Sequence, residues 1–134
     1  MIFVDSSFWV ALAIEKDRQH AHARGLFSSI GDEPLVTTNH VRGETWTFLR
    51  RKVGHDAAVR FLSSLEASSR LEMVHVELAL EQRALTWLRR HDEREYSFVD
   101  ATSFAVMRSM KIRETLAFDG DFAAAGFVER RATD

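Results

Sequence analysis

Five acidic residues stand where short apolar runs end or helical patterns begin: Asp5, Glu44, Asp100, Asp119 and Asp121. Ile2-Phe3-Val4 leads into Asp5, and Thr115-Leu116-Ala117-Phe118 leads into Asp119, with Asp121 two positions on. In a parallel α/β sheet the groups just beyond the carboxyl ends of the strands meet, however far apart they lie in sequence. Carboxylates gathered in a chain without Cys make a hard-oxygen site, the kind that holds Mg²⁺ or Mn²⁺. The chemistry such a site performs on a phosphodiester is metal-assisted hydrolysis.

Each acid has a bland alternative. Asp5 suits a helix N-cap. Ser97-Phe98-Val99-Asp100 matches a capping box. Asp119-Gly120 reads as a turn, and Asp121 as the cap of a short helix through Ala123 and Ala125. Glu44 lies among Val41, Trp46 and Phe48, which predict a substantially buried helix on which an unpaired carboxylate is costly. The conjunction carries the inference. Like charges held together raise one another's pKa, and a divalent cation removes that penalty. Asp5 and Asp100 are the expected direct ligands, with Glu44 and Asp119 acting through water or at a second metal.

These acids need a sheet to bring them together. Strand-like runs occur at Ile2 to Val4, Leu35 to Thr37, Leu71 to Val76, Thr115 to Phe118 and Phe127 to Glu129. Helical periodicity covers Ser7 to Ile14, Ala21 to Ser29, His40 to Lys52, Ala57 to Ala67, Leu78 to Arg90 and Val99 to Met110. Strands separated by helices imply crossovers and a mainly parallel central sheet in a three-layer α/β/α sandwich. A chain of 134 residues with 46% hydrophobic and 28% charged residues fits one such domain over 1–134. Phe8 to Ile14, the longest apolar run, is too short to span a bilayer, and no basic leader precedes it, so a cytoplasmic protein with no membrane partner is expected. The absence of Cys excludes disulfides, thiolate zinc sites and a Cys nucleophile.

The net charge of −2 argues against a wholly basic nucleic-acid binder but leaves room for a local one. Only Lys16, Lys52 and Lys111 are Lys among the 18 basic residues; the rest are Arg, whose planar fork matches a phosphate. Arg42 and Arg108 each share a predicted helix with one of the acids. Ser6, Asn39 and Thr102 adjoin the acids and are candidates to orient ligands or water, with helix capping weighed above that role for Asn39. His40, one turn before Glu44, is a further candidate to face substrate. The six histidines include no His-x-x-x-His pair, so a helical zinc motif is absent. A metal-free ribonuclease using two histidines is the competing chemistry, and it predicts a 2′,3′-cyclic phosphate product.

The blocks "FVDSSFW", "NHVRGETW", "YSFVDATSFAVM" and "LAFDGDF" together resemble a PIN-domain ribonuclease, and more narrowly the toxin of a VapBC toxin–antitoxin pair. The resemblance covers essentially the whole chain and is sharpest in "VDATSFAVM" followed by "AFDGDF". It maps the family's metal-binding aspartates to Asp5 and Asp100, its helix glutamate to Glu44, and its fourth acid to Asp119, with Asp121 as a possible substitute. It implies a Mg²⁺-dependent endoribonuclease, with Mn²⁺ as substitute, that leaves a 5′-phosphate and a 3′-hydroxyl. VapC-type toxins cut structured RNA, and the resemblance weighs the sarcin–ricin loop of 23S rRNA above transfer RNA. It further implies a toxin homodimer and a VapB-type antitoxin, whose segment would lie in an apolar groove near Phe8, Trp9 and Leu12. The readings set against it are a non-catalytic PIN-fold binding module and a PIN-like DNA nuclease.

Overall fold

A computed structural model describes residues 1–131. Its elements run β1 (Ile2–Val4), α1 (Ser6–Ala13), α2 (His20–Ser29), β2 (Leu35–Thr38), α3 (Asn39–Lys52), α4 (His55–Ala67) and β3 (Leu71–Val74), then α5 (Leu78–Arg90), α6 (Phe98–Met110), β4 (Glu114–Leu116), α7 (Asp121–Ala124) and β5 (Val128–Glu129). All pairings are parallel and the order is β3-β2-β1-β4-β5. The expected α/β/α architecture is therefore present, with a sheet that is wholly rather than mainly parallel. Every residue of β1 and β2 is buried, which requires cover on both faces of the sheet.

Element boundaries follow local chemistry. Asp5 caps α1 by accepting from the Ser7 N–H, and Thr38 caps α3 by accepting from the Val41 N–H. Ser97 and Asp100 form a reciprocal capping box at α6. The strands come out shorter at their carboxyl ends than the apolar pattern predicts: β3 stops at Val74 and β4 at Leu116. The residues beyond them belong to the connections that carry the site.

The order places β1 at the switch point. The chain leaves β1 toward β2 and β3 on one side, then returns through α6 to lay β4 on the other. Connections after β1 and β4 consequently diverge and open a crevice at their carboxyl ends. Buried threonines stitch this centre: the Thr37 hydroxyl donates to the Val4 carbonyl at 2.9 Å and the Thr115 hydroxyl to the Phe3 carbonyl at 3.0 Å. Phe104, one turn along α6 from Asp100, is fully buried and packs edge-on against Trp87 of α5 and Phe122 of α7 at ring separations of 5.1 and 4.9 Å. One side chain thus ties the helix bearing Asp100 to the segments on either side of it.

Phe104→Ala should cost about 3–5 kcal/mol of stability through the lost burial and the cavity left behind. Urea unfolding followed by circular dichroism reads this directly, and a cost under about 1 kcal/mol would contradict the packing role given to the ring.

Candidate active site

The acids expected from the sequence gather at the crevice between β1 and β4. One carboxylate oxygen from each of Asp100, Asp119 and Asp121 lies within 4.8 Å of the others. Asp5 stands outside that trio but beside it, buried to 1% exposure and feeling the charges of both Asp119 and Asp100.

All four aspartates are held by one oxygen only. Asp5 Oδ2 accepts from the Ser7 N–H at 3.2 Å and the Ser7 hydroxyl at 2.7 Å. Asp100 Oδ2 accepts from the Ser97 N–H at 3.0 Å. Asp119 Oδ1 accepts from the Asp121 N–H at 3.1 Å, and Asp121 Oδ1 from Arg94 Nε at 2.9 Å. The bland readings as caps and a turn are thus correct for one oxygen each of Asp5, Asp100 and Asp119, whereas Asp121 caps nothing: Gly120 stands at the N-cap of α7 and the engaged oxygen of Asp121 pairs with Arg94. Among the described residues the second oxygens have no protein partner, and Asp5 Oδ1 is both buried and unsatisfied. An orphaned buried acceptor is costly. Gly120, with φ +83, lets the chain turn tightly enough for Asp119 and Asp121 to face the same space.

Desolvation dominates the electrostatics. Burial, reinforced by Asp119 and Asp100, pushes Asp5 from its ordinary 3.8 to about 7 against the lowering effect of the Ser7 hydrogen bonds. Burial likewise raises Asp100 to about 6, opposed by the cap and aided by Asp119 and Asp121. Asp119 is raised by burial and then by Asp121 and Glu129. Hard oxygen donors, mutual repulsion and an orphaned carboxylate oxygen all fit a divalent cation such as Mg²⁺ or Mn²⁺.

Glu44 departs from expectation. Its helix turns Val41, Thr45 and Leu49 into the core, which leaves Glu44 exposed at the crevice mouth, where its carboxylate accepts a hydrogen bond from the Ser6 hydroxyl. Ser6, Glu44, Phe118 and Asp119 line one cleft of about 490 Å³. His40 lies in a second recess on the other side of Glu44, its ring 5.7 Å from that of Phe98. Asn39 is spent structurally: Thr38 is the cap, and the Asn39 side-chain carbonyl accepts from the Val76 N–H at 2.8 Å.

Three further candidates point elsewhere. Arg42, two positions from Glu44 on α3, projects from a different face of the helix. The Thr102 hydroxyl is fully buried and donates back to the Val99 carbonyl at 2.8 Å. Arg108 lies eight residues beyond Asp100, about 12 Å down α6; there it donates to the Ala125 carbonyl and sits over Phe127, with its guanidinium 5.0 Å from the ring centre. A shared helix did not mean a shared face or a shared end.

Ser7, Arg18 and Arg94 were missed. Ser7 is the hub of the β1 corner, since its hydroxyl donates to Asp5 and accepts from the Phe118 N–H at 3.1 Å, tying β1 to the end of β4. Its position two residues after a capping aspartate was the available signal. Arg18 lines the cleft and Arg94 pairs with Asp121, but both sit in charged loops that read as ordinary solvated surface.

Comparison with known proteins gives concordant findings. The sequence matches the PIN domain over residues 2–128. It is 56% identical over 132 residues to the "23S rRNA-specific endonuclease VapC20" of Mycobacterium tuberculosis, in strains CDC 1551 and H37Rv alike, covering 98% of both chains. The crystal structure of Mycobacterium tuberculosis VapC20, described as a sarcin–ricin loop cleaving toxin, superposes with a TM-score of 0.93 at 54% identity, covering 98% of this chain and 100% of that one.

Because the folded pKa of Asp5 lies above its unfolded value, the folded state holds the proton more tightly, and stability falls as pH rises from about 4 through 7. With chelator present, Asp5→Asn should melt higher than the wild type at pH 7.5, by a margin worth roughly 1–4 kcal/mol that shrinks toward pH 4.5. A thermal-melt series across that range checks it; a variant less stable at every pH would contradict the carboxylate strain described.

Proposed function

From the premise that the chain belongs to the PIN-domain family, we propose that it is a VapC-type toxin: a Mg²⁺-dependent endoribonuclease that cuts the sarcin–ricin loop of 23S rRNA and so halts translation. The observation that carries this reading is the set of half-engaged aspartates at the β1/β4 crevice, in a chain 56% identical to a 23S rRNA-specific endonuclease along almost its whole length. The whole chain acts as one nuclease domain.

Asp5, Asp100 and Asp119, with Asp121, would hold the cation, with Mn²⁺ able to serve in place of Mg²⁺. When bound, the metal lowers the pKa of a coordinated water and stabilises charge on the phosphate oxygens. The chain's own residues do the rest. Ser7 and the Ser97 cap fix Asp5 and Asp100 so that little reorganisation is needed as charge develops. Glu44, exposed at the mouth and oriented by Ser6, is placed to take a proton from the attacking water. Water attacks phosphorus, the P–O3′ bond breaks, the departing O3′ takes up a proton from solvent, and a 5′-phosphate and a 3′-hydroxyl remain.

RNA binds from the cleft side, where Arg18 supplies a phosphate contact and splayed bases find the recess around His40 and Phe98. A VapB-type antitoxin segment occupies the apolar recess of Trp9, Leu12, Ala57 and Phe61. The active form is a homodimer. Among the described residues no helix is long and apolar enough to cross a membrane.

Purified protein is incubated with whole ribosomes and with bulk transfer RNA, with Mg²⁺ or Mn²⁺ and with chelator, and the RNA ends are mapped. A single metal-dependent cut in the sarcin–ricin loop is expected, and Asp100→Asn should slow it by more than about 100-fold. Cuts confined to transfer RNA would change the target; cleavage that survives chelator and leaves a 2′,3′-cyclic phosphate would overturn the mechanism.

A further inference from the structure

Three of the four aspartates are fixed by donors close by in sequence: Ser7 for Asp5, Ser97 for Asp100 and the Asp121 N–H for Asp119. Asp121 alone is held by a distant segment. Arg94, 27 residues earlier in the connection between α5 and α6, donates from Nε to Asp121 Oδ1 at 2.9 Å and from Nη2 to the Asp119 carbonyl at 3.3 Å. The same Nη2 would lie 3.5 Å from a Cβ placed on Gly120, so the guanidinium closes over the whole Asp119–Asp121 turn.

The connection carrying Arg94 is itself braced. His91 stacks on Trp87 with rings 4.0 Å apart, Tyr96 packs edge-on against Trp87 and Phe104, and Ser97 caps α6. Arg94 is therefore delivered by an ordered segment, although its side chain remains 41% exposed.

We propose that Arg94 is a positioning residue for the metal site: by engaging Asp121 Oδ1 and the Asp119 carbonyl, it turns the free oxygens of both aspartates toward Asp100. The proposal rests on the metal-dependent reading above. Two opposed effects follow from so placed a cation. Its charge disfavours a nearby divalent ion by Coulomb repulsion. Its hydrogen bonds fix the ligands, as outer-shell partners of metal ligands commonly do, and removing such a partner typically costs 10–100-fold in metal affinity. Orientation is the larger effect here, because Nε and Nη2 engage the turn at two points while the exposed side of the guanidinium is screened by solvent.

Mn²⁺ affinity measured by electron paramagnetic resonance of the free ion separates these effects without reference to RNA cleavage. The proposal expects Arg94→Ala to weaken Mn²⁺ binding by roughly 10–100-fold. Arg94→Lys, which keeps the charge and loses the fork, should weaken it nearly as much. Asp121→Asn should also weaken it, and adding Arg94→Ala to Asp121→Asn should cost far less than Arg94→Ala alone, since the two act through one contact. Unchanged or tighter binding in Arg94→Ala, full retention in Arg94→Lys, or additive losses in the double variant would each overturn the proposal. If the wild type itself binds no Mn²⁺, the metal-dependent function falls with it; if the wild type binds and the Arg94 variants bind equally well, only the role of Arg94 falls.

Discussion

Every aspartate at the crevice is gripped by one oxygen and left free at the other, and the rest of the structure follows from that constraint. Burial, with the neighbouring carboxylates adding repulsion, holds Asp5, Asp100 and Asp119 above the ordinary range. A fold that only needed caps and turns would point the second oxygens into water. Here Asp5 Oδ1 is sealed from solvent without a partner, which is costly in the protein alone.

Holding the cluster together falls to the centre of the sheet. β1 and β4 are the shortest buried strands, three residues each, yet they sit side by side at the switch point and deliver Asp5 and Asp119 from opposite ends of the sequence. Ser7 closes the gap between them, and Phe104 anchors the helix whose first turn carries Asp100. Both α1 and α6 point their amino ends at the crevice, so the backbone there partly offsets the acidic charge. The acids are thus preorganised by packing as well as by the hydrogen bonds that aim them.

Much of this was legible in the sequence. All five strands and the first six helices fall where the apolar pattern puts them, because short β-branched runs and 3.6-residue periodicity report burial directly. Asp5, Asp119 and Asp121 were legible for a related reason: they follow strands, and strand ends in a parallel sheet converge, whereas Asp100 opens a helix and showed itself through its capping-box spacing. Proximity along one helix was a weaker guide to where a side chain lies. Arg42 and Arg108 share helices with Glu44 and Asp100 but differ in face or in height, and Thr102 turns its hydroxyl into its own backbone. Glu44 was expected to be buried because Trp46 and Phe48 are apolar, whereas Phe48 is 40% exposed and the helix buries a narrower stripe. Arg94 was invisible because a partner 27 residues away, across a charged loop, leaves no local pattern.

If the unpaired oxygens converge on one cation position, a metal soaked into the protein must settle there. Crystals grown with chelator and then soaked in Mn²⁺, with data collected at the manganese absorption edge, test it most directly. The account predicts an anomalous peak in the β1/β4 crevice, bonded to Asp100 and to Asp119 or Asp121, with Asp5 contacting it directly or through one water. No peak there, or a peak whose ligands are the oxygens already engaged by Ser7, Ser97 and Arg94, would contradict it.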